Sequence, residues 1–320
     1  MIKTDRLAKA KTAAKAGSGA RLAVPKWAKD LPLHLLLIII LVVILFPFAW
    51  MVGTSLKPAS DATPSALNGS DHSFGVFLGL FWPREFHFEN YADAWTNRYG
   101  PTATPHTFFD APFFEYFRNS IIVGVAETLG VVVTSTMAAF AFARLEFWGK
   151  NILFAFILTT LAIPHEANYL PNVVIITGLG LSGTIVALFL PWLASAFYIF
   201  LIRQFFMSLP QDLYEAGELD GLTDLGYLWR IAIPLSMPAV LTVALFAFLG
   251  NWNALLWPLI AAPNWPVVQV GLSNFIANGD TQQQWDLLMA AATIVILPII
   301  VIYFLVQRRF IEGIARTGIK

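Results

Sequence analysis

The chain has 320 residues, of which 57% are hydrophobic and only 12% charged, with a formal net charge of zero and a mean hydropathy of +0.66. Soluble domains carry about 25% charged residues, so the composition excludes an ordinary soluble domain and points to an integral membrane protein. The absence of cysteine excludes disulfides, thiolate chemistry and Cys-ligated metal. Zero net charge names no partner by itself; the lipid bilayer is expected, and nucleic acid is not.

Residues 1–30 are rich in Ala and Lys and aperiodic, which predicts a disordered basic tail that fixes orientation. A cleaved signal peptide is not expected. The apolar run from Leu33 exceeds the usual core of about 7–15 residues and lacks a small-residue cleavage site. Crossing the hydrocarbon needs roughly 20 apolar residues, and six such runs are read at about 33–53, 119–143, 151–168, 184–202, 239–260 and 287–306. The predicted organisation is a tail (1–30), a first span (31–56), an extracytoplasmic loop (57–117), a five-span core (118–307) and a C-terminal tail (308–320). The 57–117 segment carries FWPREFHFENYADAW and FFDAPFFEYF. It is too charged to cross and too aromatic for a plain linker, so short helices against the outer membrane surface are expected. Pro171–Ser182 reads as an exterior half-helix or turn.

Of the 20 lysines and arginines, all but Lys57, Arg84, Arg98 and Arg118 fall in the two tails, the turn 144–150 and the insert 204–238 with Arg203 at its edge. Positive charge stays cytoplasmic, so both termini and the insert are predicted there. The insert departs from the rule locally: Asp212, Glu215, Glu218, Asp220 and Asp224 stand against Arg230. That departure suggests a protein partner in place of lipid headgroups.

The insert is punctuated as a rigid knob. Ser208 and Pro210 are helix-start residues, a helix is expected to about Asp220, and Gly221 suits a left-handed C-terminal position. Thr223 can cap a second helix that stops near Pro234, and Pro238 opens the fifth span. Leu213, Tyr214 and Leu219 give the knob an apolar side and the carboxylates a polar one. A solvated acidic loop is the plainer alternative.

Glu215-Ala216-Gly217, then Gly221 after three residues, then Ile231-Ala232-Ile233-Pro234 after nine more, resembles the EAA signature of permease subunits of bacterial ABC importers. Gly217 replaces the second Ala and Ile233 replaces Leu; Gly in a helix costs about 1 kcal/mol relative to Ala. The likeness extends over nearly all of the chain from the first span onward. It includes Thr54-Ser55-Leu56-Lys57-Pro58, Glu89-Asn90-Tyr91, Asn119-Ser120, Ala141-Phe142-Ala143-Arg144-Leu145, Gly180-Leu181, Trp252-Asn253 and Trp257-Pro258-Leu259. These look like the sugar-type branch, specifically the shorter six-span partner of a maltose-transporter-type heterodimer.

That resemblance implies an all-α polytopic protein of the type I importer permease fold, in the bacterial inner membrane. It implies a second homologous permease subunit, a cytoplasmic ABC ATPase dimer that binds ATP and Mg, and an extracytoplasmic sugar-binding protein. Glu215, Ala216, Gly217, Asp220, Gly221, Ile231 and Pro234 would then couple the ATPase to the spans. A neutral mono- or oligosaccharide is the expected cargo, with a sugar-phosphate ester such as glycerol phosphate as the alternative.

No catalytic or metal-binding set is read in this chain. Gly149-Lys150 is followed by Asn151 and lacks the first glycine of a P-loop. Leu181-Ser182-Gly183 echoes the ABC signature peptide but lies on the exterior side, and His165-Glu166 lacks the second His of the zinc-protease pattern. A secondary transporter or a membrane-embedded enzyme would need ion-coupling carboxylates or a convergent catalytic group. Only Glu127, in the second span, is of that kind.

Asn251, Trp252 and Asn253 are candidates for the substrate path, since amides exchange hydrogen bonds with hydroxyls and indole offers a flat apolar face. Helix–helix pairing is the alternative. Glu127 must face a partner helix or a wet cavity, and pairing is the favoured reading. Asn278, Gly279, Asp280, Gln282 and Gln283 form a polar turn that by position resembles a contact with the binding protein.

Overall fold

The structure, a computed structural model, describes residues 26–62, 79, 82–96, 107–277 and 284–317. The chain divides into two units, Met1–Trp50 and Met51–Lys320. Most of helix α1 (Lys26–Ser55) lies in the first unit, and residues 31–49 are exposed all round. A helix that is apolar on every face suits lipid on every face. Its 25-residue stretch Leu31–Ser55 is about 37 Å long at 1.5 Å per residue, enough to cross.

In the second unit, α2 (Ala59–Ala62) and α3 (Glu89–Thr96) belong to the segment read as extracytoplasmic. Buried Asn90 donates to the carbonyls of Ser55 and Lys57 at 2.9 and 2.8 Å, and Ser55 and Tyr91 share a 2.7 Å hydroxyl contact. Two sequence fragments that looked familial thus hold each other. Trp82, Phe86, Phe88, Phe108 and Phe109 remain exposed, as expected of rings at a membrane interface.

The long helix α4 (Pro112–Arg144) is the axis of the second unit. Near its start, Asn119 donates to the carbonyl of Pro266 at 2.9 Å, and Ser120 Oγ accepts from the Val268 amide at 2.9 Å. These bonds fix the chain entering α14 (Val268–Ala277), where a Cβ on Gly271 would stand 2.2 Å from Tyr116. Next come α5 (Lys150–Thr159), α6 (Tyr169–Gly178), α7 (Val186–Phe189) and α8 (Ala196–Ser208). The insert holds α9 (Gln211–Leu219), α10 (Asp224–Tyr227) and α11 (Ile233–Leu235). Then α12 (Met237–Trp252) packs along α4, followed by α13 (Leu256–Ala261), α14 and α15 (Trp285–Thr317).

The membrane crossings are less regular than six straight helices. Among the described residues, three helices are long and apolar enough to cross: Leu31–Ser55, Pro112–Arg144 and Trp285–Gln307. The number is at most five if each of two bent pairs is one span: Val186–Trp192 with Ala196–Ser208 at 50°, and Asp224–Leu235 with Met237–Trp252 at 85°. Over the remaining predicted span, 151–168, the structure holds a shorter apolar helix, Lys150–Ala162. Ile163 is extended there because the proline that follows it disfavours helical backbone. The predicted span 239–260 is likewise broken after Trp252.

Candidate functional site

Three helix breaks converge on one cavity. The first follows the 3-10 turn Thr160–Ala162, and the second separates the turn Leu190–Trp192 from α8, where Ser195 is extended. The third lies between Trp252 and Leu256. Ile163, Ser195 and Ala254, one from each break, line a cavity of 810 Å³. Backbone that leaves the helix at membrane depth is tolerated only where protein buries it or a water-filled cavity receives it. The breaks and the cavity therefore account for one another.

One wall is aromatic. His165 stacks on Trp192 at 4.2 Å, Trp192 meets Trp257 edge-on at 5.3 Å, and Tyr169 lies 5.8 Å from both indoles. The Trp257 indole N–H is spent on the carbonyls of Ala187 and Leu188, each at 3.2 Å, which anchors α7. The lining also carries polar side chains, Glu127, Asn251, Asn253, Asn168 and Asn172. Asn251 Nδ2 donates to Glu127 Oε2 at 2.6 Å, and Glu127 lies near the midpoint of α4. Gly124, one turn earlier, makes that approach possible, since a Cβ there would sit 3.0 Å from Phe248 of α12. No lysine or arginine is among the described lining residues.

Of the candidate path residues, Glu127, Asn251 and Asn253 line this cavity and Trp252 does not. Trp252 is 1% exposed, stacks on Phe248 at 5.5 Å and donates to the Val295 carbonyl at 3.3 Å. It is a core side chain because α12 turns that face toward α15. Trp192, Trp257, His165 and Tyr169 take its place as ring surfaces, and sequence reading missed them. The available signal was three aromatic–proline neighbours in apolar runs: Pro164-His165, Pro191-Trp192 and Trp257-Pro258.

The insert forms a corner anchored in the core. The Leu222 amide donates to the Gly217 carbonyl at 2.9 Å and the Gly221 amide to the Glu218 carbonyl at 3.0 Å. With Gly221 at φ +79°, this is a Schellman ending of α9. Thr223 caps α10, its Oγ accepting from the Gly226 amide at 3.1 Å. Ser208 is not a cap; its hydroxyl bonds back to the Phe205 carbonyl within α8. The second helix ends at Leu235, one residue past Pro234. It reaches that end through a π turn, Leu228–Ala232, and Ile233–Leu235, and the wider turn lies where the proline ring would meet the i−4 carbonyl.

The expected apolar side of the knob is split. Tyr214 turns inward, edge-on to Tyr227 at 5.0 Å, and donates to Asp224 at 2.5 Å. That hydrogen bond, with burial and the nearby carboxylate charges, pushes its phenol up to about 12, so it remains a donor throughout the physiological range. Gly217 is buried, and a Cβ there would come within 3.1 Å of Tyr227. Glycine in place of the familial alanine thus leaves room for the Tyr227 ring, which a Cβ would press by a few tenths of an ångström. Leu219 is 89% exposed, Leu213 and Leu225 are also exposed, and Glu215, Ala216, Glu218 and Asp220 surround them. Ile231 is half-buried against the core and Pro234 is exposed.

Arg144 ties this corner to α4, a role not anticipated from sequence. Its guanidinium donates to Gln211 Oε1 at 2.7 Å and to the carbonyls of Phe206 and Leu209 at 2.8 and 2.6 Å. It therefore closes the C-terminus of α8 and holds the first residue of α9. In return, Arg203 donates to the Phe142 carbonyl at 3.0 Å. Asn278, Gly279, Asp280, Gln282 and Gln283 lie outside the described residues.

The family model for binding-protein-dependent transport system inner membrane components matches residues 130–316, from the middle of α4 through the cavity and the corner to α15. The chain belongs to that family. The sn-glycerol-3-phosphate transport system permease protein UgpE of Shigella flexneri serotype 5b (strain 8401) is 32% identical over 285 residues, covering 88% of this chain and 94% of the relative. UgpE of Escherichia coli (strain K12) has the same identity and coverage. The fold is shared with a solved bacterial ABC transporter involved in import of the acidic polysaccharide alginate. That match has a TM-score of 0.70 and 21% identity, covering 88% of this chain and 96% of that one. Membership of this permease family sets aside the readings as a secondary transporter or a membrane-embedded enzyme.

Proposed function

We propose that this permease passes an uncharged sugar through the 810 Å³ cavity, and that the corner 211–235 is where a separate ATPase pushes on it. The observation that carries the reading is the cavity's lining: five aromatic rings (His165, Tyr169, Trp192, Tyr198 and Trp257), several amides and no lysine or arginine among the described residues. Flat ring faces suit the apolar faces of a sugar and amides suit its hydroxyls. A phosphate ester would call for a cation or a cluster of backbone donors. The glycerol phosphate of the UgpE relatives is the second reading, favoured by 32% identity across nearly the whole chain.

The remaining parts of the assembly follow the same family reading. A second homologous permease completes the passage, and a cytoplasmic ABC ATPase dimer holds ATP and Mg. An extracytoplasmic binding protein delivers the solute, with 278–284 as its contact. In this reading both termini and the corner face the cytoplasm, which the distribution of lysine and arginine supports. The exposed leucines among carboxylates at the corner suit a groove with an apolar floor and a basic rim.

Purifying the complex from its host through a tag on this chain tests this reading. Mass spectrometry is expected to find an ATPase with a P-loop and a second permease, and an uncharged sugar on the associated binding protein. A phosphorylated polyol on that protein would decide for the second reading.

A further inference from the structure

Glu127 is an acidic group near the middle of a membrane-crossing helix, and the familial signature does not account for it. It lines the cavity, 9% exposed, with one carboxylate oxygen held by Asn251. The other described charge-bearing candidate in the lining is His165, which is stacked on Trp192 on the aromatic wall. No lysine or arginine is among the described lining residues to offset the carboxylate. Helix pairing alone explains neither the acid nor its place. An amide in both positions would join α4 to α12 equally well, and an acid inside the membrane is costly unless water or a partner reaches it.

We propose that Glu127, positioned by Asn251, is a specificity-determining residue that accepts hydroxyl groups of an uncharged solute and turns anionic solutes away. The cavity is large and polar enough on this side to hold water, which solvates the oxygen not engaged by Asn251. The Asn251 amide donates to one carboxylate oxygen at 2.6 Å and fixes the side chain's orientation. A carboxylate accepts strong hydrogen bonds from hydroxyls. It repels a phosphate or a second carboxylate at the same distance, more strongly than in bulk water because protein walls the site on several sides. The arrangement rests on the cavity being the passage, and it distinguishes this permease from one built for a phosphate ester.

The charge can be read without knowing the solute, because the chain has no cysteine. Ser195 lines the same cavity, and Ser195→Cys places a thiol there with almost no change of volume. In the purified complex, rates of modification of this chain are measured by intact mass with neutral, cationic and anionic methanethiosulfonates of similar size. The cationic reagent is expected to outpace the anionic one by about tenfold, the order for unit charges sharing one partly wet cavity. Glu127→Gln should bring the two rates together, and Glu127→Asp should keep most of the difference, which separates charge from folding. Equal rates with Glu127 present, or a preference unchanged by Glu127→Gln, would overturn the proposal while leaving the passage intact. Failure of the neutral reagent to react at Ser195→Cys would remove the passage reading itself, and this proposal with it.

Discussion

Glu215→Lys should insert normally, because the residue lies outside every crossing helix, yet lose transport and release the ATPase subunit on purification. Glu215 is exposed on α9 beside Leu219, so nothing inside this chain depends on it. Leaving a charge of the partner buried and unpaired costs about 2–5 kcal/mol, or at least thirtyfold in affinity, and reversing the sign costs more. Gly221→Val acts by another route. A Cβ at Gly221 meets nothing within 4 Å, but φ is +79°, a conformation that β-branched side chains avoid. Strain of about 1–3 kcal/mol should loosen the Schellman corner, leaving weakened rather than abolished ATPase retention. ATPase retention on the purified complex and uptake into vesicles are the readouts. Full uptake by Glu215→Lys would show that the acidic corner is only solvated.

The second large effect is expected at Arg144. Arg144→Gln removes charge-assisted hydrogen bonds to Phe206, Leu209 and Gln211. Each is worth about 1.5–3 kcal/mol, and an orphaned carbonyl adds about 1–3. These terms share one side chain and do not add fully, so a total loss of about 3–5 kcal/mol is expected. Because Arg144 joins the end of α4 to both α8 and α9, the loss should appear twice: a lower unfolding temperature in detergent, and poor coupling of ATP hydrolysis to uptake. Arg144→Lys should recover only part of either, since an ammonium cannot span three acceptors as a planar fork does. Normal coupling in Arg144→Gln would mean that the corner is held by its aromatic packing alone.

The corner was largely legible in the sequence because its determinants are local. Gly221 needs positive φ, Thr223 caps three residues ahead, and acids between two apolar runs stand out. What escaped was non-local. Nothing beside Gly217 in sequence announces Tyr227, ten residues on, as the ring that excludes a Cβ, and nothing near Arg144 names the carbonyls at 206 and 209. The same limit applied to the membrane helices. Hydropathy sees a continuous apolar run through Pro164 and through Asn253, whereas the backbone breaks at both and the breaks line the cavity. Trp252 looked like a path residue because it sits between two asparagines. Which face of α12 meets α15 is set by packing, and that face carries Trp252 inward. Glu127 was read as a paired acid, which it is, but its second environment, the cavity, required α5 to α8 to be placed.

The central claim is that the cavity among α4, the broken helices and α12 is the passage, opened to one side and then the other by the ATPase. Asn253 lines it at the third break and is exposed there, so an Asn253→Cys variant reports its access directly. In sealed, right-side-out vesicles carrying the complete complex, a membrane-impermeant thiol reagent is added outside. The account predicts slow labelling at rest and labelling at least tenfold faster with binding protein present and ATP trapped inside. Equal labelling in both states would contradict it.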